Sequence, residues 1–331
     1  MIILIEYILI LTVLFVLLIL YFKIADKYNI IDKPNHRSAH TEITLRGGGI
    51  VYPIAFLLFL VNQFYYQNSI VNPQNYLIFG LGMIVLCTIS FIDDILDLSS
   101  KIRLVFHFIS VTLLLYFINA FQLLPIWAIP IFFIMIIGIL NAYNFMDGIN
   151  GMTGLYSLVV LGSLLYVNQN IIKFTDKNFI VYPILACLVF LFFNFRKKAK
   201  CFMGDIGSIG IAFWILALIG LLVIKTENIK YLLFLTVYGI DVVFTILERL
   251  KLKENIFEAH RRHLYQLLAN EKKVSHLIIS SFYAMIQLLI NVFLINSNFN
   301  LLFISLIVLI PIIIIYLFLK NDIKKRVSNK S

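Results

Sequence analysis

The sequence predicts an all-α membrane protein with about eleven transmembrane helices. Of its 331 residues, 61% are hydrophobic and only 13% are charged, whereas soluble domains carry about 25% charged residues. A segment that crosses lipid has to satisfy its backbone hydrogen bonds internally, so each apolar run of about 20 residues is predicted to form a helix. The chain 1–331 is thus one integral-membrane domain. The runs lie near 2–22, 49–67, 76–92, 103–119, 123–140, 152–168, 179–194, 206–224, 231–247, 275–295 and 300–319.

The distribution of basic residues predicts the orientation of these helices. If the loop after the first run is cytoplasmic, 23 Lys and Arg residues fall on that side and 4 on the other. The positive-inside rule then places the N-terminus outside and the basic tail, 320–331, in the cytoplasm. The net charge of +10 is therefore explained by orientation, and the expected partner is the lipid bilayer, with no nucleic acid. The first run has no basic segment and no small-residue cleavage site, which predicts that it is retained.

Three carboxylates follow the third apolar run, at Asp93, Asp94 and Asp97. A charge near the membrane centre costs roughly 2.5–3.5 kcal/mol, so this cluster is expected at a membrane face. Close carboxylates repel one another unless a cation lies between them, and the cluster therefore suits Mg²⁺ or a general base. The structural alternative is pairing with the neighbouring bases Lys101 and Arg103.

The loop between the first two spans combines Asn35, Arg37 and His40 with Arg46 and Gly47. Consecutive glycines at 47–49 allow a backbone to approach a ligand closely, and arginines suit phosphate. A flexible loop whose charges only orient the protein is the alternative.

A later cytoplasmic connection, 141–154, contains no Lys or Arg, so orientation does not explain it. Asn144, Asp147 and Asn150 are spaced to line up along one face of a helix. Facing the acidic cluster, they would extend a polar pocket. The alternative is ordinary turn formation by Asn, Asp and Gly.

Two further acids stand at helix-related positions. Asp205, within Gly-Asp-x-Gly-Ser, begins a span, where capping the helix N-terminus is the structural alternative to a functional role. Asp241 lies within an apolar run and is either a functional carboxylate or a helix-to-helix hydrogen bond. The longest cytoplasmic loop contains His260, Arg261, Arg262 and His263, a set that could bind a polyphosphate or a nucleotide.

Taken together, these segments resemble the polyprenyl-phosphate N-acetylhexosamine-1-phosphate transferases, a family that initiates bacterial envelope glycans. The similarity covers roughly 31–266, in the family's order. Two positions depart from the pattern: Asn150 replaces the second acid of Asp-Gly-x-Asp, and 260–263 is His-Arg-Arg-His. This form is more similar to the branch that starts O-antigen or capsule repeat units, and the sugar stays open. The matching motifs are Asp32-x-Pro-Asn-x-Arg-x-x-His40, Arg46-Gly-Gly, Asp93-Asp94-x-x-Asp97, Lys101-x-Arg103, Asn141-Ala-x-Asn144-x-x-Asp147-Gly, Gly204-Asp205-x-Gly-Ser208, Asp241 and 260–266.

The resemblance implies that undecaprenyl phosphate attacks the phosphorus next to the sugar of a UDP-N-acetylhexosamine and that UMP leaves. It implies Mg²⁺, with Mn²⁺ as an alternative, and Asp205 as the metal ligand. It implies catalytic roles for Asp93, Asp94 and Asp147, as base, as the group that holds the lipid phosphate, or in support. The substrate-binding residues that it implies are Asn35, Arg37, His40, Arg46, Gly47, Asp97, Lys101, Arg103, Asn144, Asn150, Asp241, His260, Arg261, Arg262 and His263.

The same resemblance implies a multi-pass protein of the bacterial inner membrane with its active site facing the cytoplasm. Charge accumulates on both nucleophile and leaving group, so positioning and electrostatic neutralisation are expected to dominate catalysis. The sequence leaves open whether an Asp attacks covalently and whether the protein is a homodimer.

Two other function classes share some of these features. An intramembrane Mg²⁺-dependent prenyltransferase also uses Asp-Asp-x-x-Asp, but it usually needs a second motif of similar acid density, and Asp147 and Asp205 are single acids. A polytopic transporter is expected to place polar residues near the midplane, often in repeated halves. In this sequence the polar residues concentrate at the cytoplasmic ends, without an internal repeat. Release of UMP from a UDP-sugar discriminates the transferase from both.

Overall fold

The computed structural model describes residues 2–32, 43–66, 73–96, 98–255 and 260–328. Four predicted site residues lie outside these ranges: Asn35, Arg37, His40 and Asp97. The helices are α1 (Ile2–Lys27), α2 (Val51–Tyr66), α3 (Pro73–Leu96), α4 (Ser100–Phe117), α5 (Ala120–Leu123), α6 (Ala128–Met146), α7 (Met152–Asn170), α8 (Asn178–Asn194), α9 (Gly204–Thr226), α10 (Thr236–Lys251), α11 (Leu264–Asn270), α12 (His276–Asn296) and α13 (Leu301–Ser328). Two short antiparallel strands, β1 (Ile31–Asp32) and β2 (Thr44–Leu45), and two 3₁₀ segments, Gly48–Ile50 and Ile229–Leu235, complete the elements.

The all-α prediction is confirmed, and each of the eleven predicted spans overlaps a long helix of the described structure. Within the described residues, nine helices are long and apolar enough to cross a bilayer, so the protein is a multi-pass membrane protein. The helix at the centre of the bundle is α9. In its most apolar 18-residue segment, 83% of the residues are buried, compared with 17% in the corresponding segment of α13. Its N-terminal end is therefore fixed by neighbours on several sides.

The two other predicted spans, α7 and α8, extend over the same depth although they fall outside those nine. At one end of α8, the Tyr7 hydroxyl of α1 donates to Asn178 at 2.7 Å. Near its other end, the rings of Phe22 and Phe193 lie 5.0 Å apart. In α7, Tyr156 donates to Gln287 of α12 at 2.7 Å. Tyr156 is buried in this contact and therefore does not face lipid.

The glycine stretch 47–49 packs against the start of α9. The backbone N–H groups of Gly48 and Gly49 donate to the carbonyls of Phe202 and Met203 at 2.8 and 2.9 Å. A Cβ at Gly49 would lie 2.1 Å from the Cα of Gly207. Gly48 and Gly49 thus make room for another part of the chain, whereas the prediction that Gly47 contributes to substrate binding stays a prediction. This contact places Arg46 beside the N-terminus of α9.

Replacing Gly49 with Ala is expected to destabilise the protein by about 3 kcal/mol, because backbone on both sides prevents relaxation. The matched control is Gly138→Ala on α6, where a Cβ meets nothing within 4 Å and Ala is the better helix former. Thermal unfolding of both purified variants in detergent measures the difference. Equal melting temperatures would show that the Gly49 contact is not tightly packed.

The connection between α6 and α7 corrects a second prediction. Because α6 ends at Met146 and α7 begins at Met152, residues 144, 147 and 150 do not share one helical face. Gly151 has a φ of +82°, and its N–H donates to Asn194 at 2.6 Å. Turn geometry, which suits Asn, Asp and Gly, prevails over the helical spacing.

Candidate active site

Arg46 joins three segments that are distant in the sequence. Its Nε lies 2.7 Å from Asp94 Oδ1, and its Nη2 lies 3.3 Å from Asp205 Oδ1. The loop before α2, the last turn of α3 and the first turn of α9 thus meet at one guanidinium group. Burial opposes the charge of Arg46, but Asp94 and then Asp205 outweigh it and raise the Arg46 pKa above its usual value. The guanidinium therefore stays charged.

Asp94 caps the N-terminus of α9. Its two oxygens accept hydrogen bonds from the N–H groups of Asp205 at 3.0 Å and Ile206 at 3.3 Å. A carboxylate at this position also interacts favourably with the helix dipole. Gly204 has a φ of +73°, and a Cβ there would lie 2.6 Å from Asp94 Oδ2, so glycine is required. Because Asp94 provides the cap, the side chain of Asp205 is left for another role.

Asp93 pairs with Arg103, as the structural alternative for this cluster proposed. Its Oδ2 lies 2.9 Å from Arg103 Nη1, and its Oδ1 accepts the N–H of Leu98 at 2.7 Å. Asp93 thereby joins the last turn of α3 to Leu98 and holds Arg103, whose side chain remains 35% exposed. Lys101, in the first turn of α4, is exposed.

Asp147, directly after α6, belongs to the same electrostatic cluster. Desolvation raises the pKa of its carboxyl to about 7, opposed by the Thr153 hydroxyl, and the charge of Asp205 raises it further while Arg46 lowers it. Asn144, one turn earlier on α6, lies beside the Asp205 carboxylate. The structure therefore brings Asn144 and Asp147 to the same cluster as Arg46, Asp94 and Asp205.

The raised pKa of Asp147 predicts a pH dependence of stability when divalent metal is absent. Between about pH 4 and pH 7 the folded protein keeps a proton that the unfolded chain has released, so raising the pH favours unfolding. Asp147→Asn lacks this effect. As the pH rises through this range, the melting temperature of the wild type should fall relative to that of Asp147→Asn by about 2 °C or more. Thermal melts in a chelator at several pH values measure the difference. A gap that stays constant with pH would contradict the assignment.

The charge balance of the cluster favours a cation. Asp93, Asp94, Asp147 and Asp205 face the guanidinium groups of Arg46 and Arg103, so four negative and two positive groups leave two negative charges when all are ionised. Within the described residues, no three His, Cys, Asp or Glu side chains converge as a closed metal site. Mg²⁺ is usually bound by one or two carboxylates together with water and substrate phosphates. The residues present therefore fit Mg²⁺.

Asn150 fixes a connection on the same side of the bundle. Its side-chain amide donates to the backbone carbonyl of Arg196 at 2.8 Å, and the backbone carbonyl of Asn150 accepts from the Ser280 hydroxyl at 2.7 Å. The structure thus gives the side chain of this predicted substrate-binding residue a backbone partner. The basic run 196–200 is held in place by that contact.

The loop at 260–263 is held by acids that the sequence analysis did not single out. Arg262 pairs with Glu254 and, at 3.3 Å, with Glu248. Burial, followed by the charge of His263, lowers the pKa of His260 to about 4, so His260 is neutral at pH 7. Glu248 also pairs with Lys320 and Lys324 of α13. In the sequence, Glu248 could have been identified as a carboxylate among basic residues at the end of α10.

Asp241 is part of the same loop's support. The carboxylate is buried and accepts hydrogen bonds from Tyr283 at 2.7 Å and from the N–H of Leu264 at 3.0 Å, and His263 Nδ1 lies 3.2 Å away. The helix-to-helix alternative for Asp241 is therefore realised. Its partners lie on α12, on α13 and at the start of α11, which the sequence spacing did not indicate.

Residues 76–225 match glycosyl transferase family 4. Over 261 residues the chain is 27% identical to the probable undecaprenyl-phosphate N-acetylglucosaminyl 1-phosphate transferase of Bacillus subtilis, covering 74% of this chain and 71% of the relative. This match and the name of this relative support the polyprenyl-phosphate N-acetylhexosamine-1-phosphate transferase family. An undecaprenyl-phosphate alpha-N-acetylglucosaminyl 1-phosphate transferase of Thermotoga maritima is 25% identical over 272 residues, covering 80% of this chain and 82% of its own. The matched range of this transferase includes Asp93, Asp94, Asp147 and Asp205.

Its counterpart of the same name in Escherichia coli K12 is 27% identical over 281 residues, covering 77% of this chain and 74% of its own. The phospho-N-acetylmuramoyl-pentapeptide-transferase of Dictyoglomus thermophilum is 29% identical over 188 residues, which is 52% of this chain and 57% of the relative. The transferase is thus similar to two groups of enzymes. The names of these relatives give the two groups different sugars.

Proposed function

We propose that this transferase moves an N-acetylhexosamine-1-phosphate from a UDP-sugar to undecaprenyl phosphate, releasing UMP, as the first membrane step of cell-envelope polysaccharide synthesis. The observation that carries the proposal is the bridge from Arg46 to Asp94 and Asp205. This bridge forms a cluster of acidic residues that favours a bound cation. The cluster lies at the ends of three helices, where a lipid phosphate and a water-soluble donor can meet. The names of the relatives support the lipid acceptor.

The four acids of the cluster are proposed to divide their tasks, and three of them act without the metal. Asp94 is occupied by Arg46 and by the α9 backbone, so it holds the site together. Asp93 is occupied by Arg103, and this pair positions a guanidinium group for a phosphate oxygen. Asp147 has a pKa of about 7, and a group with such a pKa exchanges protons efficiently near neutral pH. Asp147 is therefore the carboxylate best suited to take the proton of the lipid phosphate.

Asp205 would hold Mg²⁺, with Asn144 beside it and phosphate oxygens completing the coordination. When bound, the metal supplies positive charge that polarises the phosphoryl oxygens. Arg46 orients the Asp205 carboxylate by pairing with one of its oxygens. We place this site at the cytoplasmic face of the inner membrane, because Arg46, Arg103 and the basic run 196–200 all lie on that side of the predicted topology.

The test is an assay of UMP release. Purified protein is given Mg²⁺, undecaprenyl phosphate and, one at a time, a panel of UDP-N-acetylhexosamines that includes 6-deoxy and 4-epimer sugars. UMP release with at least one sugar, dependent on both the lipid and the metal, is expected. The sugar that is used assigns the glycan branch, for which an O-antigen or capsule sugar is proposed. No UMP release with any sugar would overturn the proposed function.

A further inference from the structure

Four buried hydroxyl groups lie together where α6, α7 and α10 meet, and none of them has a hydrogen-bond partner within the described residues. They belong to Tyr143 on α6, Thr153 and Ser157 on α7, and Tyr238 on α10. All four residues are at most 1% exposed. A buried polar atom without a partner costs stability, and it calls for a specific explanation.

The ring of Tyr238 is fixed by its neighbours. It stacks on the ring of Tyr156 with centroids 3.7 Å apart and an angle of 8° between the planes, and the ring of Tyr143 packs edge-on at 5.2 Å. Tyr156 is itself held, because its hydroxyl donates to Gln287 at 2.7 Å. The Tyr238 hydroxyl is therefore kept beside the Thr153 hydroxyl, although the two do not have the geometry of a hydrogen bond.

Thr153, in the first turn of α7, lies between Tyr238 and Asp147. Its hydroxyl opposes the rise in the pKa of the Asp147 carboxyl, as a donor that faces a carboxylate does. A hydroxyl both donates and accepts, whereas an ionised carboxylate only accepts. A hydrogen-bond chain through these groups can therefore run in one direction only. Tyr238 donates to Thr153, and Thr153 donates to Asp147.

We propose that Thr153 and Tyr238 are positioning residues whose hydroxyls form this chain and hold the Asp147 carboxylate in place to accept a proton. The inference rests on the proposed function, in which Asp147 takes the proton of the lipid phosphate. A general base has to lie within hydrogen-bond reach of the proton that it takes, and misplacement lowers the rate. With one carboxylate oxygen held by Thr153, the other is left to accept the proton. Neither hydroxyl has to touch the substrate.

The first experiment removes the Thr153 hydroxyl and preserves the shape of the side chain. In Thr153→Val we expect kcat to fall about 10-fold to 100-fold, the loss of a hydrogen bond to a charged group. The KM for each substrate should stay within about twofold of the wild-type value. Thr153→Ser keeps the hydroxyl and should recover most of the turnover. A wild-type kcat in Thr153→Val, or an equal loss in Thr153→Ser, would overturn the inference.

Ser157→Ala is the matched control. The Ser157 hydroxyl is also buried and unpaired, one turn further along the same face of α7, but it lies beside Tyr143 and does not act on Asp147. This variant should keep the wild-type kcat. A loss comparable to that in Thr153→Val would show that kcat responds to the packing of α7 in general, which would overturn the inference.

The second experiment asks whether Tyr238 acts through Thr153. Tyr238→Phe keeps the stacked ring and removes the hydroxyl, and kcat should fall about 3-fold to 10-fold. Adding this change to Thr153→Val should cause no further loss, because the chain is already broken. Tyr76→Phe is the control, since the Tyr76 hydroxyl is buried 3.4 Å from Thr175 Oγ1, away from Asp147, and it should keep the wild-type kcat. Additive losses would show that Tyr238 acts independently and would overturn its role.

Infrared spectroscopy of the metal-free protein separates the inference from the proposed function, which fails if the wild type releases no UMP. At about pH 5 the Asp147 carboxyl is protonated, since its pKa is about 7, and its C=O band is the one missing from Asp147→Asn. A carbonyl that loses a hydrogen bond vibrates at higher frequency, so the band should shift upward in Thr153→Val and stay in place in Ser157→Ala. Should Thr153→Val fail to fold, Thr153→Ser and Tyr238→Phe carry the kcat predictions. An unshifted band in folded Thr153→Val would overturn the inference.

Discussion

Asp205→Asn is expected to lower turnover by about 1,000-fold, the loss that follows when a group that stabilises transition-state charge is removed. The amide has nearly the same shape as the carboxylate and can still accept from Arg46, which now lies 3.3 Å from Oδ1. The cap of α9 is unaffected, because Asp94 provides it. The variant therefore tests charge and metal binding with the fold preserved. Turnover is measured as UMP release at saturating substrates over a range of Mg²⁺ concentrations.

The matched control for this variant is Asp176→Asn at the opposite end of the bundle. Asp176 accepts the N–H of Asn178 at 2.7 Å at the start of α8, and Asn is as good a cap as Asp. It is expected to keep both turnover and thermal stability. Full activity in Asp205→Asn at ordinary Mg²⁺ would remove Asp205 from the metal site.

Arg46→Met is expected to destabilise the folded protein by about 3–5 kcal/mol and to abolish turnover, because it leaves buried carboxylates without their cation. The Asp94 side chain is fully buried and that of Asp205 is 14% exposed, so water does not replace the lost partner. Arg46→Lys keeps the charge but cannot reach both carboxylates as a planar fork, and an intermediate loss of both properties is expected. Unfolding in detergent and UMP release measure the two effects.

Arg326→Met is the control for the loss of an ion pair. Arg326 pairs with Asp322 at 2.9 Å, but its side chain is 67% exposed, and surface pairs contribute about 0–1 kcal/mol. Its stability should therefore stay within about 1 kcal/mol of the wild type. If Arg46→Met were no less stable than Arg326→Met, the bridge between Asp94 and Asp205 would not hold the site together.

The helices were predictable from the sequence because lipid permits few other conformations for an apolar run. Their ends were less predictable: α3 continues to Leu96, beyond the predicted end at 92, and α13 continues to Ser328 through the basic tail. Polar residues at a membrane face can extend a helix or end it, and the apolar pattern does not distinguish the two. Asp147 and Asn150 show the same ambiguity, since their spacing from Asn144 predicted a continuous helix where turn chemistry prevails.

The residues of the site were predictable by type, but their partners were not. Asp94 and Asp205 carry no local signal that one caps the helix of the other, 111 residues away. That pairing depends on the backbone contact between Gly49 and Gly207, which only tertiary packing creates. Asp241 and Asn150 were chosen as polar residues in unusual places, and the structure gives each a partner on a distant helix or loop. Sequence pattern marks such residues without stating what they bind.

The cap that Asp94 places on α9 has a consequence for biosynthesis. Helices are synthesised in order. After Asp94 of α3 has been made, 111 further residues must be added before the chain contains the N–H of Asp205, which donates to the Asp94 carboxylate. The residues that place Arg46 beside α9, Phe202 and Met203, are also made after Asp94. The site can therefore be completed only when the eighth long helix is inserted.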